Sequence, residues 1–567
     1  MPFINEDILA QGPWQALERA VARLMLHGNF EEVKLVGQSG DKGADVLAKR
    51  FGKRYLVQVK FRKHNNTSND VVDEVLQSTR DYNAEVSIIA TNRYFTKDVR
   101  KRQIELLKEN VSLQLWDYHK LKREWDSLEE FSKKMKSPRE YQKSPIKSIV
   151  TSYSSLAHNS GLVVMATGLG KTFVVASAIG QLLSENKLRK VLVLAHTNEL
   201  VYQLERSFWP YISKNITTNI YNGVEKGDLQ NSIITFACSD TVINELQINP
   251  DSFKSFDFIV IDEAHHAGSR TYRNIIGIIN AGKSNGPYLL GLTATPWRSD
   301  RIELTNIFTD KICNIDIVKG MSEGYLTNVD YRMHVDNIDW KQLNKLKNLT
   351  PKSLNKTLFI QEWDDAVLDK LQDVWSEVNN PKAIVFCSRI EHAFTFRDRI
   401  NATGFARASV LYSGAFAGKS INSYERNIIL NNFADGILNV LCAVDILNEG
   451  IDVPDVNIIV FQRVTHSRRI FVQQLGRGLR IYEGKEKVIV LDFVSDIRRF
   501  AAGLELKENL IKTNKYIRLG SPIKFVDLSG ENPKTENFLK EWLQDVAAIQ
   551  DAGENDHVLK FPPENIN

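Results

Sequence analysis

Two clusters of residues in this chain have the types and spacing for phosphate chemistry. The first is Thr167-Gly168-Leu169-Gly170-Lys171-Thr172. It follows an apolar run, Leu162 to Ala166, and precedes FVVASAIGQLL, which reads as a helix. Strand, glycine turn and helix in that order make a phosphate cradle, because backbone N–H groups and the positive helix end face the anion. Lys171 would reach the β- and γ-phosphates and Thr172 would hold Mg²⁺. The strict pattern has Gly at position 165, where this chain has Met165. Downstream, the buried-strand run Phe258 to Ile261 delivers Asp262-Glu263-Ala264-His265. Side chains at the carboxyl end of a parallel strand point into the ligand crevice. Asp262 would bind Mg²⁺ through water and Glu263 would orient the attacking water.

The second cluster lies near the start. Gly40-Asp41-Lys42-Gly43-Ala44-Asp45 leads through a basic turn to Tyr55-Leu56-Val57-Gln58-Val59-Lys60. Alternate residues of a strand share a face, so Gln58 and Lys60 point one way while Val57 and Val59 point into a core. A hairpin through Phe51-Gly52-Lys53 would bring Asp45 beside them. An acid, an amide oxygen and a lysine on one face suit a hard cation such as Mg²⁺. The cation would lower the pKa of a water, and the lysine would orient that water or steady the phosphate. Glu18 would add a ligand or hold a water. Lys49, Arg50, Lys53, Arg54, Lys60, Arg62 and Lys63 fall in a stretch without an acid. It is expected to lie across the site and to neutralise phosphates. Tyr55, Phe61 and Trp116 read as core aromatics. His265 and His266 are adjacent and do not read as a metal pair, and His196 reads as a packing residue.

The elements that must position these groups are readable from periodicity. PWQALERAVARLML has helical spacing, with Trp14, Leu17, Val21, Leu24 and Met25 on one stripe. Short strand runs follow: EEVKLV, ADVLA, YLVQVKF, VSIIAT and VSLQLW. From Tyr118 to Arg139 the chain reads as charged and helical, ending at the Ser137-Pro138 linker. LVVMA, KVLVLA, SIITFA, FIVID and LLGLTA then alternate with helices, as parallel strands covered on both faces do. A second series, AIVFC, ASVLYS, LNVLCA, NIIVF and VIVLDF, repeats that architecture. The intervening 337–380 reads as helix and connector.

Across 138–495 these motifs stand in the order found in superfamily 2 helicases and translocases, and the chain resembles the DEAH-bearing type of restriction-enzyme motor subunits. The resemblance implies that Arg139 and Gln142 of REYQ read adenine, and that LAHTNELVYQ contacts one strand's backbone. GLTATP, Gly291 to Pro296, would couple ATP state to domain closure, and Gly450 and Asp452 of NEGIDVP would touch ATP and nucleic acid. Gln473 with Arg477 and Arg480 of QQLGRGLR matches the arginine-finger motif. Those arginines would reach the γ-phosphate across the cleft and stabilise transition-state charge. Asn198 stands where the subgroup often has Arg. Residues 10–120 resemble the Mrr-type branch of the PD-(D/E)xK nucleases, in which Gln replaces the middle acid. That resemblance implies Asp45, Gln58 and Lys60 as active-site residues with Glu18 in support.

The 567 residues predict about three to five domains. With 43% hydrophobic and 25% charged residues, collagen-like and wholly disordered classes are excluded. Four widely spaced cysteines without a CxxC pair argue against a zinc ribbon and fit a reducing, cytoplasmic setting. No apolar run is long enough to span a membrane, and the first residues do not read as a signal peptide. Net charge is +4, which by itself does not indicate nucleic acid. The expected fold is α/β: a restriction-endonuclease-like domain over 1–125, RecA-like parallel-sheet domains over 126–310 and 311–500, and an extension over 501–567. The expected function is an ATP-dependent DNA translocase or helicase fused to a Mg²⁺-dependent endonuclease, in restriction or anti-phage defence. ATP and Mg²⁺ are the expected cofactors; DNA and further defence subunits are the expected partners. The alternatives are a repair helicase-nuclease, and a DNA or RNA remodelling motor whose N-terminal domain only binds nucleic acid.

Overall fold

The computed structural model describes residues 3–4, 6–36, 43–132, 136–155, 158–294, 304–335, 364–387, 389–416, 419–444, 455–462, 478–493 and 524–527. Gly450, Asp452, Gln473 and Arg477 lie outside the described residues.

The N-terminal sheet is β1 (Glu31–Leu35), β2 (Val46–Arg50), β3 (Lys53–Lys60), β4 (Val86–Thr91) and β5 (Ser112–Trp116), in that spatial order. β1, β2 and β3 are antiparallel, and β3, β4 and β5 are parallel. The five runs marked by the sequence are these five strands. The helix Trp14–His27 buries Leu17, Val21, Leu24 and Met25 against Val57, Val59 and Ile88. Trp14, expected on that stripe, is 44% exposed because it stands at the helix start, outside the sheet's cover. The opposite face is covered too: Leu56 and Ile89 pack with Val71, Val72 and Val75 of the helix Asp70–Asp81. Gln58 therefore sits on a second buried face and not on an open one, at 1% exposure.

The first motor sheet holds β6 (Ser160–Met165), β7 (Val191–Ala195), β8 (Thr218–Tyr221), β9 (Ile234–Cys238), β10 (Phe258–Ile261), β11 (Tyr288–Thr293) and β12 (Asp310–Ile315). Their order is β12-β6-β11-β10-β7-β9-β8, all parallel. β12 carries this sheet past residue 310, where the sequence suggests a boundary. The second sheet holds β13 (Asn328–Val335), β14 (Ala383–Phe386), β15 (Ala408–Tyr412), β18 (Val440–Val444), β19 (Ile458–Gln462), β20 (Lys487–Phe493) and β21 (Lys524–Asp527). A small antiparallel pair, β16 (Ala415–Phe416) and β17 (Lys419–Ser420), stands apart from it. The second sheet's order is β15-β18-β14-β19-β20-β13-β21, again all parallel. β21 brings part of the expected extension into this sheet. β8, β12 and β13 are too short or too polar to stand out as buried runs. All four cysteines are free thiols. Among the described residues, no helix is long and apolar enough to cross a membrane.

The N-terminal domain is built onto the motor by buried charge. Arg19 Nη1 lies 2.6 Å from Glu225 Oε1, and Arg19 Nε lies 2.9 Å from Glu205 Oε2. One turn on, Arg23 donates to the carbonyls of Ser213 and Ile216, both at 3.0 Å. Lys214 Nζ donates to the Trp125 and Leu128 carbonyls at 3.2 and 2.6 Å. These bonds explain why the expected long helix stops early. The helix Tyr118–Ser127 ends, Leu128 turns extended, and the chain is drawn along the motor surface. The other motor domain touches the same N-terminal domain through the helix Ser423–Ala434. Tyr424 Oη donates to Asp81, Asn427 Nδ2 donates to the Val36 carbonyl at 3.1 Å, and Arg54 Nη2 lies 2.6 Å from Asp435 Oδ1.

Breaking a buried ion pair from one side leaves charge uncompensated and costs about 3–5 kcal/mol. Arg19→Ala is therefore expected to lower the denaturant midpoint strongly and to expose 128–139 to limited proteolysis. Unchanged unfolding and digestion would remove this docking role.

Candidate active sites

At the first motor site, β6 ends at Met165, whose side chain is wholly buried in the core. The missing glycine of the strict pattern thus falls inside a strand, before the loop begins. Gly168 and Gly170 have φ of 93° and 86°, the left-handed region where glycine is favoured. The helix Lys171–Ser184 starts directly after them. Gln142 braces this loop: its Oε1 accepts from Arg139 N at 2.9 Å and its Nε2 donates to the Leu169 carbonyl at 2.8 Å. Tyr141 Oη donates to that carbonyl at 3.3 Å, and its ring stacks on Tyr325 with centroids 4.3 Å apart. The loop is thereby tied to the segment leading into β13.

The acidic motif stands at the carboxyl end of β10, two strands from the loop with β11 between. Lys171 Nζ lies 3.0 Å from Glu263 Oε1, and His265 Nδ1 lies 3.2 Å from Glu263 Oε2. Burial alone would raise the Glu263 carboxyl. The Lys171 ammonium and the His265 ring outweigh it and hold the group well below the usual carboxylate range. Glu263 itself takes φ of 48°. Thr293, at the end of β11, places Oγ1 3.5 Å from His265 Nδ1. His196 packs its ring on His266 at 4.5 Å, so the strand-backbone motif touches the acidic one. Asp262 is buried beside Glu263, and Thr172 follows Lys171 at the helix start. Thr167 precedes Gly168 in the loop. Arg480 belongs to the second motor domain, where its carbonyl accepts from Thr327 Oγ1 at 2.9 Å.

In the N-terminal domain, β2 and β3 pair as a hairpin, with Val46 opposite Val57. The ladder continues one step: Asp45 N donates to the Val57 carbonyl at 2.9 Å. Asp45 Oδ2 accepts from Val59 N at 2.5 Å, so the carboxylate is fixed over Gln58. Glu18 reaches Asp45 from the helix Trp14–His27. Burial first, then the Asp45 charge and a hydrogen bond between the two side chains, push Glu18 up to about 9. Gln58 Oε1 is buried with no hydrogen-bond partner among the described residues. Lys60 Nζ lies 2.9 Å from Glu74 Oε2 on the helix Asp70–Asp81. Gly43 has φ of 89°, and a Cβ there would come within 3.0 Å of Gln58 Nε2 and 2.7 Å of Glu74 Cγ.

The structure thus brings Glu18 to Asp45, holds Asp45 on the backbone N–H of Val59 next to Gln58, and pairs Lys60 with Glu74, which the sequence reading missed. The available signal was a charged residue three positions after buried Val71 and next to buried Val75. The Glu18 and Asp45 carboxyl groups and the unpartnered Gln58 amide oxygen are oxygen donors of the kind a hard divalent cation takes. Among the described residues, no three His, Cys, Asp or Glu side chains form a metal cluster. Any cation here would depend on the amide oxygen as well as the acids.

One expectation is corrected. The Phe51-Gly52 turn is at the far end of the hairpin, eight to nine residues and so about 26–30 Å from Lys60 along β3. The basic turn does not lie across the site. Lys49 pairs there with Glu32 at 2.8 Å, and Arg54 is spent on Asp435.

Glu18 is ordinarily protonated only below its reference value of 4.5, so folding takes up a proton between that value and about 9. The stability this contributes is complete below the unfolded value and is lost as pH rises through the folded one. Without metal, the thermal midpoint is expected to fall across this window, and Asp45→Asn to flatten the fall. Saturating Mg²⁺ should raise the wild-type midpoint more than that of the variant. Parallel curves for the two proteins, with and without Mg²⁺, would refute the paired-carboxylate reading.

Comparison with known proteins agrees with this division. Residues 9–125 match the family model described as restriction endonuclease, of the Mrr catalytic type. Residues 135–298 match the res subunit of type III restriction enzymes, and residues 366–482 match the helicase conserved C-terminal domain. The Saccharomyces cerevisiae protein IRC3, named as an ATP-dependent helicase, is 25% identical over 63% of this chain and 51% of its own length. The endonuclease subunit of the type I restriction enzyme EcoAI of Escherichia coli is 27% identical over 65% of this chain and 47% of its own. The chain spans about half the length of these curated relatives. The DNA-bound type ISP restriction-modification enzyme LlaBIII shares the fold over 96% of this chain and 42% of its own, with a TM-score of 0.53 at 17% identity. The chain therefore carries an Mrr-type restriction-endonuclease domain followed by the two RecA-like domains of a superfamily 2 helicase motor.

Proposed function

We propose that this chain is an ATP-driven DNA translocase or helicase whose N-terminal domain cuts phosphodiesters with Mg²⁺, acting in restriction or anti-phage defence. The observation that carries the nuclease half is the Glu18–Asp45 pair beside the orphaned Gln58 oxygen and Lys60. A domain that only gripped DNA would gain nothing from burying the Glu18 carboxyl against that of Asp45, since the two destabilise each other when charged. The curated relatives include a restriction endonuclease subunit, which favours DNA over RNA and defence over repair.

In the motor, Lys171 would exchange Glu263 for the β- and γ-phosphates of ATP. Glu263, released from that pair, would orient the attacking water. Thr172 and Asp262 would hold Mg²⁺. Gln142 and Arg139 would brace the loop against the base, with Gly168 and Gly170 giving the phosphates access to backbone N–H groups. Arg477 and Arg480 would arrive from the second domain on closure, with Gly450, Asp452 and Gln473 completing that face. In the nuclease, Asp45, Gln58 and Glu18 would hold the cation, which when bound supplies a Lewis acid and a water of lowered pKa. Lys60, oriented by Glu74, would contact the scissile phosphate and hold it in line.

The test is one set of incubations with plasmid, linear duplex, single strands and RNA, each with ATP and Mg²⁺. Lys171→Ala is expected to lose ATPase activity. Asp45→Ala/Lys60→Ala is expected to lose cutting and keep ATPase activity. Nicking by the double variant would overturn the nuclease assignment, and stimulation by RNA alone would favour the remodelling motor.

A further inference from the structure

The turn between β2 and β3 consists of Phe51 and Gly52, with φ of 51° and 76°. Two-residue hairpin turns with both central residues left-handed favour Asn, Asp and Gly, because a bulky side chain is strained there. Phe51 is also 87% exposed, so burial does not compensate for the strain. Neither local propensity nor packing accounts for an aromatic residue at this position.

The ring is nonetheless held in place. The Arg50 guanidinium lies 5.1 Å from its centroid and 4.9 Å from that of Phe30. Phe30 in turn meets Tyr55 edge-on, with centroids 5.1 Å apart. Phe51 is thus the outermost member of an aromatic and cationic stack rooted in the sheet, and most of its surface is open. Lys49 and exposed Lys53 flank it, with Arg54 behind. The facing acids are Glu31, opposite Lys49 in the ladder, Glu32, paired with Lys49, Asp435, paired with Arg54, and Glu85, which accepts from Arg54 N. Lys53 and Arg50 form no ion pair among the described residues.

We propose that Phe51 is a base-stacking residue: an unpaired base of a nucleic-acid strand stacks on its exposed face while Lys53 meets the adjoining phosphate. This rests on the reading of the chain as a DNA-acting enzyme and adds a contact point to it. An aromatic face between cations is the combination that binds single strands without sequence preference. A protein partner would gain from the ring but not from the cations around it. The tip lies about 30 Å from Lys60 along the strand, or about nine base-pair steps of 3.4 Å, so one bound substrate could touch both.

The experiment uses the full chain and Phe51→Gly, Phe51→Ala and Phe51→Trp. Binding is measured to a labelled single strand, a blunt duplex and a duplex with an unpaired flap, without ATP or metal. Phe51→Gly and Phe51→Ala are expected to weaken binding to the single strand and the flap about tenfold, with the blunt duplex little changed. Phe51→Gly should keep or raise the thermal midpoint, because glycine relieves the left-handed strain. Phe51→Trp should retain affinity, with its added emission quenched by the strand. The proposal is overturned if Phe51→Gly binds all three as the wild type does. It is equally overturned if affinity for all three falls together with the thermal midpoint, which marks a structural role. Binding of none of the three by the wild type would sink the DNA reading itself, and this proposal with it.

Discussion

Charge taken out of water must be matched, and one helix near the start of the chain carries that constraint for the whole molecule. The helix Trp14–His27 buries Glu18 and Arg19 side by side, facing different partners. Glu18 meets Asp45 in the candidate nuclease site, and Arg19 meets Glu205 and Glu225 of the first motor domain. The Arg19 cluster is satisfied within the chain: burial would depress the guanidinium, and the two carboxylates more than offset it. In the Glu18 cluster, burial and the Asp45 charge push the Glu18 carboxyl up, while Asp45 accepts from Val59 N. Adjacent residues on one rigid element thus hold the docking interface and the site that calls for a cation.

This arrangement ties the two chemistries mechanically. The N-terminal domain is clamped to the first motor domain by buried bonds from Arg19 and Arg23. Its contacts to the second motor domain, through Tyr424, Asn427 and Asp435, sit nearer the surface. The only motor-to-motor ion pair described at this corner, Arg426 with Glu199, is 3.4 Å long. Motion of the second domain against the first would load the weaker contacts before the buried ones. The β2–β3 hairpin carries both Arg54, in that weaker contact, and Lys60, in the candidate nuclease site.

Much of the architecture was readable because periodicity reports burial. The strands Leu162 to Ala166 and Phe258 to Ile261 are continuous apolar runs, which only a sheet covered on both faces requires. Asp45, Gln58 and Lys60 were readable because a strand's period of two, plus one hairpin, sets which side chains meet. Glu74 was not readable. Its contact with Lys60 depends on how the helix Asp70–Asp81 lies across the sheet, and no local spacing encodes that. β8, β12 and β13 were missed for a related reason, since edge position and neighbour identity do not appear in a strand's own pattern.

The linear order of residue types determined the phosphate loop, the acidic strand end, the places of Asp45, Gln58 and Lys60 on one hairpin and the doubled α/β plan, since each depends on short-range geometry. Tertiary structure decided what those groups face. It placed Gln142 on the loop carbonyl of Leu169, Lys171 on Glu263, and Lys60 on Glu74. It also moved the basic turn to the far end of its hairpin, away from the site it was expected to cover. The physical reason is the same throughout. Backbone geometry propagates over a few residues, whereas the pairing of a buried charge or an orphaned oxygen is settled by elements that meet only in the folded chain.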